Sequence, residues 1–298
     1  MSRALSFAVA FAAVCAMTPA SAVAADIAVL TTGAPSKVVQ AVANGFAAQT
    51  GHRLTLVQDT AGGVRRRVEA GEQAAVIVAT PDVLDALTAA GRVVPGTRTD
   101  FARTGVGVGV KDGMPKPDIS TVDAFKRFLV AAPTIAMPDP KAGGTSAIYL
   151  AGLIERLGMA DVVRPKAKLK AGGYAADLIV SGEAATVIHQ ISEILPVKGV
   201  TLVGPLPAEI QLTTTYSAAL ATSATNDAPA RAFLAALAGP AARAATEAAG
   251  MAGAAPSPFL NGEYSAIASI CCATARRSCS RKFATARRKP GSAIQWAE

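Results

Sequence analysis

The sequence predicts an α/β protein of two lobes, built on mixed sheets and joined by two connecting strands. Three observations carry that prediction. Short apolar runs alternate with helical patterns through most of the 298 residues, the order expected where helices cover a largely parallel sheet. Three of those runs break into turns rich in threonine, serine and glycine. Two further β-prone segments, far apart in sequence, lie where the chain would cross to a second lobe and return.

Ile27–Leu30 is a buried strand candidate, followed by the turn Thr31-Thr32-Gly33-Ala34. Ser36 to Gln49 then sets Val38, Val39, Val42 and Phe46 at helical spacing, with Pro35 suited to the first turn and Gly51 to the stop. Leu54–Val57 is the next strand and ends in the second turn, Asp59-Thr60-Ala61-Gly62-Gly63. A short helix, Val64–Ala70, closes at Gly71. Strand Ala75–Ala79 and helix Pro81–Ala90 follow, the latter stopped by Gly91. Thr104 to Val110 alternates glycine with valine, an extended run in which glycine permits bending or close approach; it reads as the first crossover.

Beyond it lie helix Val122–Val130, strand Thr134–Met137 and the third turn, where Pro138-Asp139-Pro140 leads to Gly143-Gly144-Thr145-Ser146. Helix Ser146–Leu157, helix Tyr174–Val180 and strands Ala185–Ile188 and Gly199–Val203 complete this half. Pro205-Leu206-Pro207 is a stiff connector, and Gln211 to Ala221 is the returning strand. Ala228 to Ala249 is helical, interrupted at Gly239-Pro240. The expected division is residues 26–105 plus 209–255 for lobe one and 106–208 for lobe two.

The two ends differ from this body. Residues 1–25 read as a signal peptide: Arg3 supplies the charged start, Leu5–Met17 the apolar core, and Ala20-Ser21-Ala22 or Val23-Ala24-Ala25 the cleavage pattern. The apolar run is too short to span a bilayer. Residues 256–298 form an atypical basic tail. From Glu263 onward, seven Arg and Lys face two acids and so account for five of the eight net positive charges. The high pI therefore describes the tail rather than the body, and the body offers no basic surface for nucleic acid. Of four cysteines, Cys15 is in the leader and Cys271, Cys272 and Cys279 are in the tail, so no disulfide framework is expected in the body. Adjacent cysteines lack the gap of a zinc ribbon. The tail is read as a disordered extension or a reading-frame artefact.

The three turns suggest chemistry. Each would place backbone N–H groups and hydroxyls at a helix N-terminus, where the partial positive charge favours an anion. The same threonines and serines also suit plain helix caps. The second turn has glycines but no lysine at the phosphate-binding position, which argues against nucleotide use. No nucleophile elbow or zinc spacing is present.

Taken together, these segments resemble the periplasmic substrate-binding proteins of ABC transporters, in particular the type II, molybdate-binding-like group. The resemblance is carried by Ile27–Ala34 and the helix ending Phe46-Ala47-Ala48-Gln49-Thr50-Gly51. It continues in Arg66 to Glu72, in Ile135–Pro140 with Gly143-Gly144, and in Ser181-Gly182-Glu183-Ala184, and covers roughly residues 26–255. It implies a type II fold whose lobes close over an anion held by hydroxyls and amides, without metal or cofactor. Carried across, the binding loops fall on Thr32 and Gly33, on Thr60 and Ala61, and on Gly144, Thr145 and Ser146. The group's binding tyrosine falls on Gln190, a departure that weakens the case for molybdate. Asp59 would repel a dianion unless paired.

The segment from His189 to Pro196, with Gly204-Pro205-Leu206-Pro207, resembles a branch of this group that includes a periplasmic aconitate isomerase. His189, at a strand end beside the cleft, then becomes a proton donor or acceptor, against the plainer reading of a packed histidine. His52, in a turn, reads as solvated. Of Arg65, Arg66 and Arg67, one or two could reach a carboxylate; Arg66 is the residue assigned to the ligand.

The expectation is a periplasmic solute-binding protein, a monomer, that captures an organic acid or molybdate-like oxyanion for an ABC permease. No nucleic-acid partner is expected. The alternative is an isomerase of an unsaturated tricarboxylate, with His189 or Glu193 as base and an arginine among 65–67 as carboxylate clamp.

Overall fold

A computed structural model describes residues 24–254; the basic-tail expectation lies outside the described residues, as does the signal-peptide expectation save for Ala24 and Ala25. In chain order the elements are β1 (Asp26–Thr32), α1 (Ser36–Thr50), β2 (Arg53–Asp59), α2 (Ala61–Glu69), β3 (Val76–Ala79), α3 (Pro81–Ala89) and β4 (Thr99–Lys111). The second half holds α4 (Val122–Ala131), β5 (Ile135–Pro138), α5 (Thr145–Arg156), α6 (Ala160–Val163), β6 (Ala167–Lys170), α7 (Asp177–Val180), β7 (Thr186–Gln190), α8 (Ile191–Ile194) and β8 (Val200–Pro205). The chain then returns through β9 (Thr213–Leu220), α9 (Ala228–Leu237), α10 (Pro240–Ala248) and β10 (Ala252–Gly253).

The strands make two mixed sheets that share β4. In the first, β2, β1 and β3 run parallel, and β3 pairs antiparallel with β9, which pairs antiparallel with β4. In the second, the far end of β4 lies antiparallel to both β7 and β8, while β7, β5 and β6 are parallel. Residues 99–105 of β4 thus belong to one sheet and residues 106–111 to the other. This is the two-lobed type II fold, with β4 as one connecting strand. At the second connection the Gln211 side chain imitates a strand partner: its Oε1 accepts from Val106 N at 2.8 Å and its Nε2 donates to Val106 O at 2.9 Å.

Each sheet is covered on both faces. In lobe one, Val38, Val42 and Phe46 of α1 pack with Phe233 and Leu237 of α9 over one face, and Val64, Leu84 and Leu87 of α2 and α3 over the other. In lobe two, Phe125, Leu129, Leu150 and Leu153 of α4 and α5 cover one face, and Ile179 and Ile194 of α7 and α8 the other. Burying such side chains contributes roughly 1.5–3 kcal/mol each, which sets both lobes as packed bodies on either side of the connection. No described helix is long and apolar enough to cross a membrane.

The glycines of β4 have a steric purpose. A Cβ at Gly107 would stand 2.8 Å from Gly204 O and from Ile191 Cγ1, and one at Gly109 would stand 2.9 Å from Val187 Cγ1 and 3.0 Å from Ile194 Cγ2. The missing side chains let α8 lie directly on the connecting strand. Helix ends follow the expected chemistry: Gly51 adopts φ 75° and its N–H reaches Ala47 O, and Gly71 and Gly91 have positive φ as well. Differences are local. The expected helix over Tyr174–Val180 is helical only from Asp177, and β6, α6, α8 and β10 were not anticipated.

Candidate functional site

The C-terminal ends of β1, β2 and β5 all turn into helices at the junction of the lobes, and they enclose a cavity of about 350 Å³. That volume suits a small ligand. Each turn contributes a wall: Thr32, Gly33 and Ala34; Asp59, Thr60 and Ala61; and Gly144 through Ala147. The loop from Lys170 to Gly173 adds a fourth, and His189, Gln190, Glu193 and Tyr216 complete the lining. The walls therefore include Thr32, Gly33, Thr60, Ala61, Gly144, Thr145, Ser146, His189, Gln190 and Glu193. Arg66 is not among them.

Three helices direct their N-termini here. No side chain caps α1 or α5, so the first-turn N–H groups of both are left to other partners. Helix α2 differs. Thr60 Oγ1 accepts from Gly63 N at 3.0 Å and donates to Ala142 O, 2.6 Å away in the other lobe. Thr60 thus acts as the cap and as a bridge between lobes. Beside it Gly62 N donates to Gly143 O at 3.0 Å, and a third bridge joins Ser36 Oγ to the Tyr174 hydroxyl at 3.1 Å. The lobes meet around the cavity.

Little free charge faces it. Asp59 Oδ1 accepts from Thr60 N at 2.7 Å, and Oδ2 lies 3.5 Å from Arg67, so this carboxylate is paired. Asp139 accepts from Lys141 N at 2.9 Å. Lys170 Nζ is 2.9 Å from Asp177. The arginines of α2 turn away: Arg65 pairs with Glu69, Arg67 with Glu72, and exposed Arg66 lies over the seam where Gly62 meets Gly143. Arg66, expected at the ligand, therefore stands at the seam outside the cavity lining, on a helix whose Val64 and Val68 face the core. An anion inside would be met by amides and hydroxyls.

At the floor, Gln190 does not present a free amide. Its Oε1 accepts from the Tyr216 hydroxyl at 2.6 Å and its Nε2 donates to Thr214 Oγ1 at 3.2 Å. A tyrosine thus stands at the floor after all, contributed by β9 as Tyr216 and hydrogen-bonded to Gln190. Tyr216, Tyr174, Lys170 and Gln58, the last at the end of β2 and also on the cavity wall, were not singled out in the sequence. Tyr216 carried a faint signal as an aromatic in the returning strand; Lys170 and Tyr174 carried none, because the loop that brings them in follows an unrecognised strand.

His189 and Glu193 lie side by side, Nε2 to Oε2 at 3.1 Å, and both are buried. Burial without a countercharge drives each toward its neutral form: the imidazole is pushed down to about 4 and the carboxyl up to about 8. The Tyr216 hydroxyl is pushed up as well, by burial first and then by Glu193. Thr32 Oγ1 and His189 Nδ1, both more than nine-tenths buried, have no hydrogen-bond partner among the described residues. Buried polar atoms are rarely left so, and both belong to residues on the cavity wall. By contrast, His52 Nδ1 accepts from Ala25 N at 3.1 Å and the ring lies against Phe46, a structural place.

Known proteins share this architecture. A curated relative from Pseudomonas sp., an aconitate isomerase, is 30% identical over 212 residues, spanning 69% of this chain and 79% of that protein. The periplasmic molybdate-binding protein of Azotobacter vinelandii superposes with a TM-score of 0.64 at 21% identity, covering 78% of this chain and all of the other. The sulfate-binding protein SubI of Mycobacterium tuberculosis superposes with a TM-score of 0.62 at 19% identity over 82% and 91% of the two chains. The model describing the bacterial extracellular solute-binding proteins matches residues 27–252. With the two lobes and the anion-suited cleft between them, this chain belongs to the bacterial extracellular solute-binding protein family.

Proposed function

We propose that the protein is a periplasmic solute-binding protein that takes a small anion, an organic acid or a molybdate-like oxyanion, between its lobes and delivers it to an ABC permease. The observation that carries this reading is the meeting of two uncapped helix N-termini, α1 and α5, with the unpartnered Thr32 hydroxyl on one small cavity. Thr32, Gly33, Thr60, Ala61, Gly144, Thr145 and Ser146 frame the ligand; Gln190 holds the floor through Tyr216. Lobes 26–105 plus 209–255 and 106–208 close around β4. The lack of a free cation on the wall favours hydrogen-bond recognition, which suits carboxylates as readily as tetrahedral oxyanions.

Thermal unfolding with sulfate, molybdate, tungstate and the two aconitate isomers tests this. At a hundredfold excess over Kd a bound ligand stabilises by about 2.7 kcal/mol, or a rise of roughly 5–10 °C for a body of this size. No shift with any of these anions would overturn the proposal.

One observation favours a second reading. The buried His189–Glu193 pair in the cleft is an acid–base group of the kind that moves a proton within an unsaturated tricarboxylate, and the aconitate isomerase relative supports it. Proton NMR of either aconitate isomer incubated with the protein would show interconversion; tight binding without turnover removes this reading.

A further inference from the structure

The way His189 and Glu193 are held limits where their proton can be. Glu193, on α8, is pressed on the first loop: a Cβ on Gly33 would collide with Glu193 Oε1. Its other oxygen, Oε2, faces His189 Nε2 at 3.1 Å. The second ring nitrogen, Nδ1, is buried and without a partner among the described residues, on a residue that lines the cavity. From neighbouring elements no described cation faces Glu193: the hydroxyls of Tyr216 on β9 and Tyr174 ahead of α7 feel its charge, and the neutral amide of Gln58 on β2 lies with it over Gly33. The ionic groups elsewhere on the wall are Asp59, Asp139 and Lys170, the last paired with Asp177. An ionised Glu193 would therefore stand uncompensated beside an incoming anion.

We propose that His189 and Glu193 share one proton so that Glu193, as a carboxylic acid, donates to Nε2 and leaves Nδ1–H to donate to an oxygen of the bound anion. This rests on the cleft being an anion site. It makes His189 Nδ1 the contact and Glu193 the residue that fixes its tautomer, and it selects ligands that accept at this point: ionised carboxylates, sulfate or molybdate rather than a group that must donate. Above about pH 8, where Glu193 loses its proton, the ring hydrogen moves to Nε2 to meet the carboxylate. Nδ1 then becomes an acceptor, and a negative charge appears beside the ligand. Affinity falls by about tenfold per pH unit from there upward, the limit for one linked proton.

Two histidines in the whole chain make the tautomer observable. In ligand-free protein labelled with 15N-histidine, His189 is expected to show a protonated Nδ1 and a bare Nε2. His52, whose ring lies against Phe46 outside the cleft, gives the second signal and serves as the internal reference. A protonated Nε2 on His189 near neutral pH, in the neutral ring or in an imidazolium, would overturn the assignment. Calorimetric titration of sulfate and trans-aconitate from pH 6 to 9 is the second measurement. The wild type should lose affinity above pH 8, and Glu193→Gln, whose amide still donates to Nε2, should show no such fall. The same fall in the variant overturns the proposal, as does pH-independent binding by the wild type. If no anion binds at any pH, the anion reading fails instead, while the tautomer is still decided by NMR.

Discussion

Glu193 and His189 are a liability to the fold as well as a resource of the site, and the liability can be measured. The native pair holds one proton between about pH 4 and 8. In the unfolded chain Glu193 titrates near 4.5 and His189 near 6.5, so above 6.5 the unfolded pair holds none. Glu193 has a raised folded value, and its stabilising effect is complete below 4.5 and lost as pH rises through 8. His189 has a lowered folded value, and its effect is complete above 6.5 and lost as pH falls through 4. Between 4.5 and 6.5 the two changes offset; between 6.5 and 8 the native state holds the extra proton and stability declines, by about 2 kcal/mol in all. Urea denaturation at pH 6 and 8.5 should show that decline in the wild type and little of it in Glu193→Gln, and equal slopes would refute the burial argument. The sequence made these two residue types legible as acid–base candidates. It did not show them as partners, because their four-residue spacing reads as a helical pair only once the chain is known to turn from β7 into α8 at Gln190.

At the scale of elements, the strand-to-helix turns were the clearest signal, since hydroxyls and glycines at strand ends have one common purpose, satisfying the first turn of a helix. What the sequence could not separate was which turns cap themselves and which stay open. Thr60 closes α2 and reaches Ala142, whereas Gly144 leaves α5 open, and that difference depends on the facing lobe. The place of Arg66 was illegible for a related reason: three consecutive arginines point three ways, the inward positions belong to Val64 and Val68, and only the facing lobe puts the Arg66 guanidinium at the Gly62–Gly143 seam. β6 escaped notice because Ala167–Lys170 is short and largely exposed, without an apolar face. The seam itself gives a test. A Cβ at Gly62 would lie 3.2 Å from Gly143 O and 3.3 Å from Gly143 Cα, so Gly62→Ala obstructs the meeting of the lobes without touching the cavity wall. Alanine inside a helix should raise the melting stability of the ligand-free, open protein by up to about 1 kcal/mol. Anion affinity should drop about tenfold by calorimetry, because closure is hindered. Unchanged affinity would mean that the bridge between Gly62 and Gly143 is not needed to hold the ligand.

At the scale of the whole molecule, two lobes meeting on one cavity serve capture and catalysis equally well, since both require water to be excluded. Fold alone therefore does not choose between them; the protonation of the floor does. Below pH 8 the dyad offers the cleft a hydrogen-bond donor and no basic nitrogen, which is the form suited to gripping an anion. Above pH 8 the Nε2–H tautomer, held by ionised Glu193, turns the bare Nδ1 lone pair toward the ligand, which is the form suited to removing a proton from carbon. Binding and turnover should then run in opposite directions through the same titration. For an isomerase, kcat with trans-aconitate should climb with an apparent pKa near 8 while Kd for sulfate weakens over the same range, and Glu193→Gln should flatten both profiles. For a transport receptor, Kd weakens in the same way and no turnover appears at pH 9, where the base is fully available. Turnover that is greatest at pH 6 would contradict both, because it requires a free basic nitrogen at a pH where the buried carboxyl still donates its proton to Nε2.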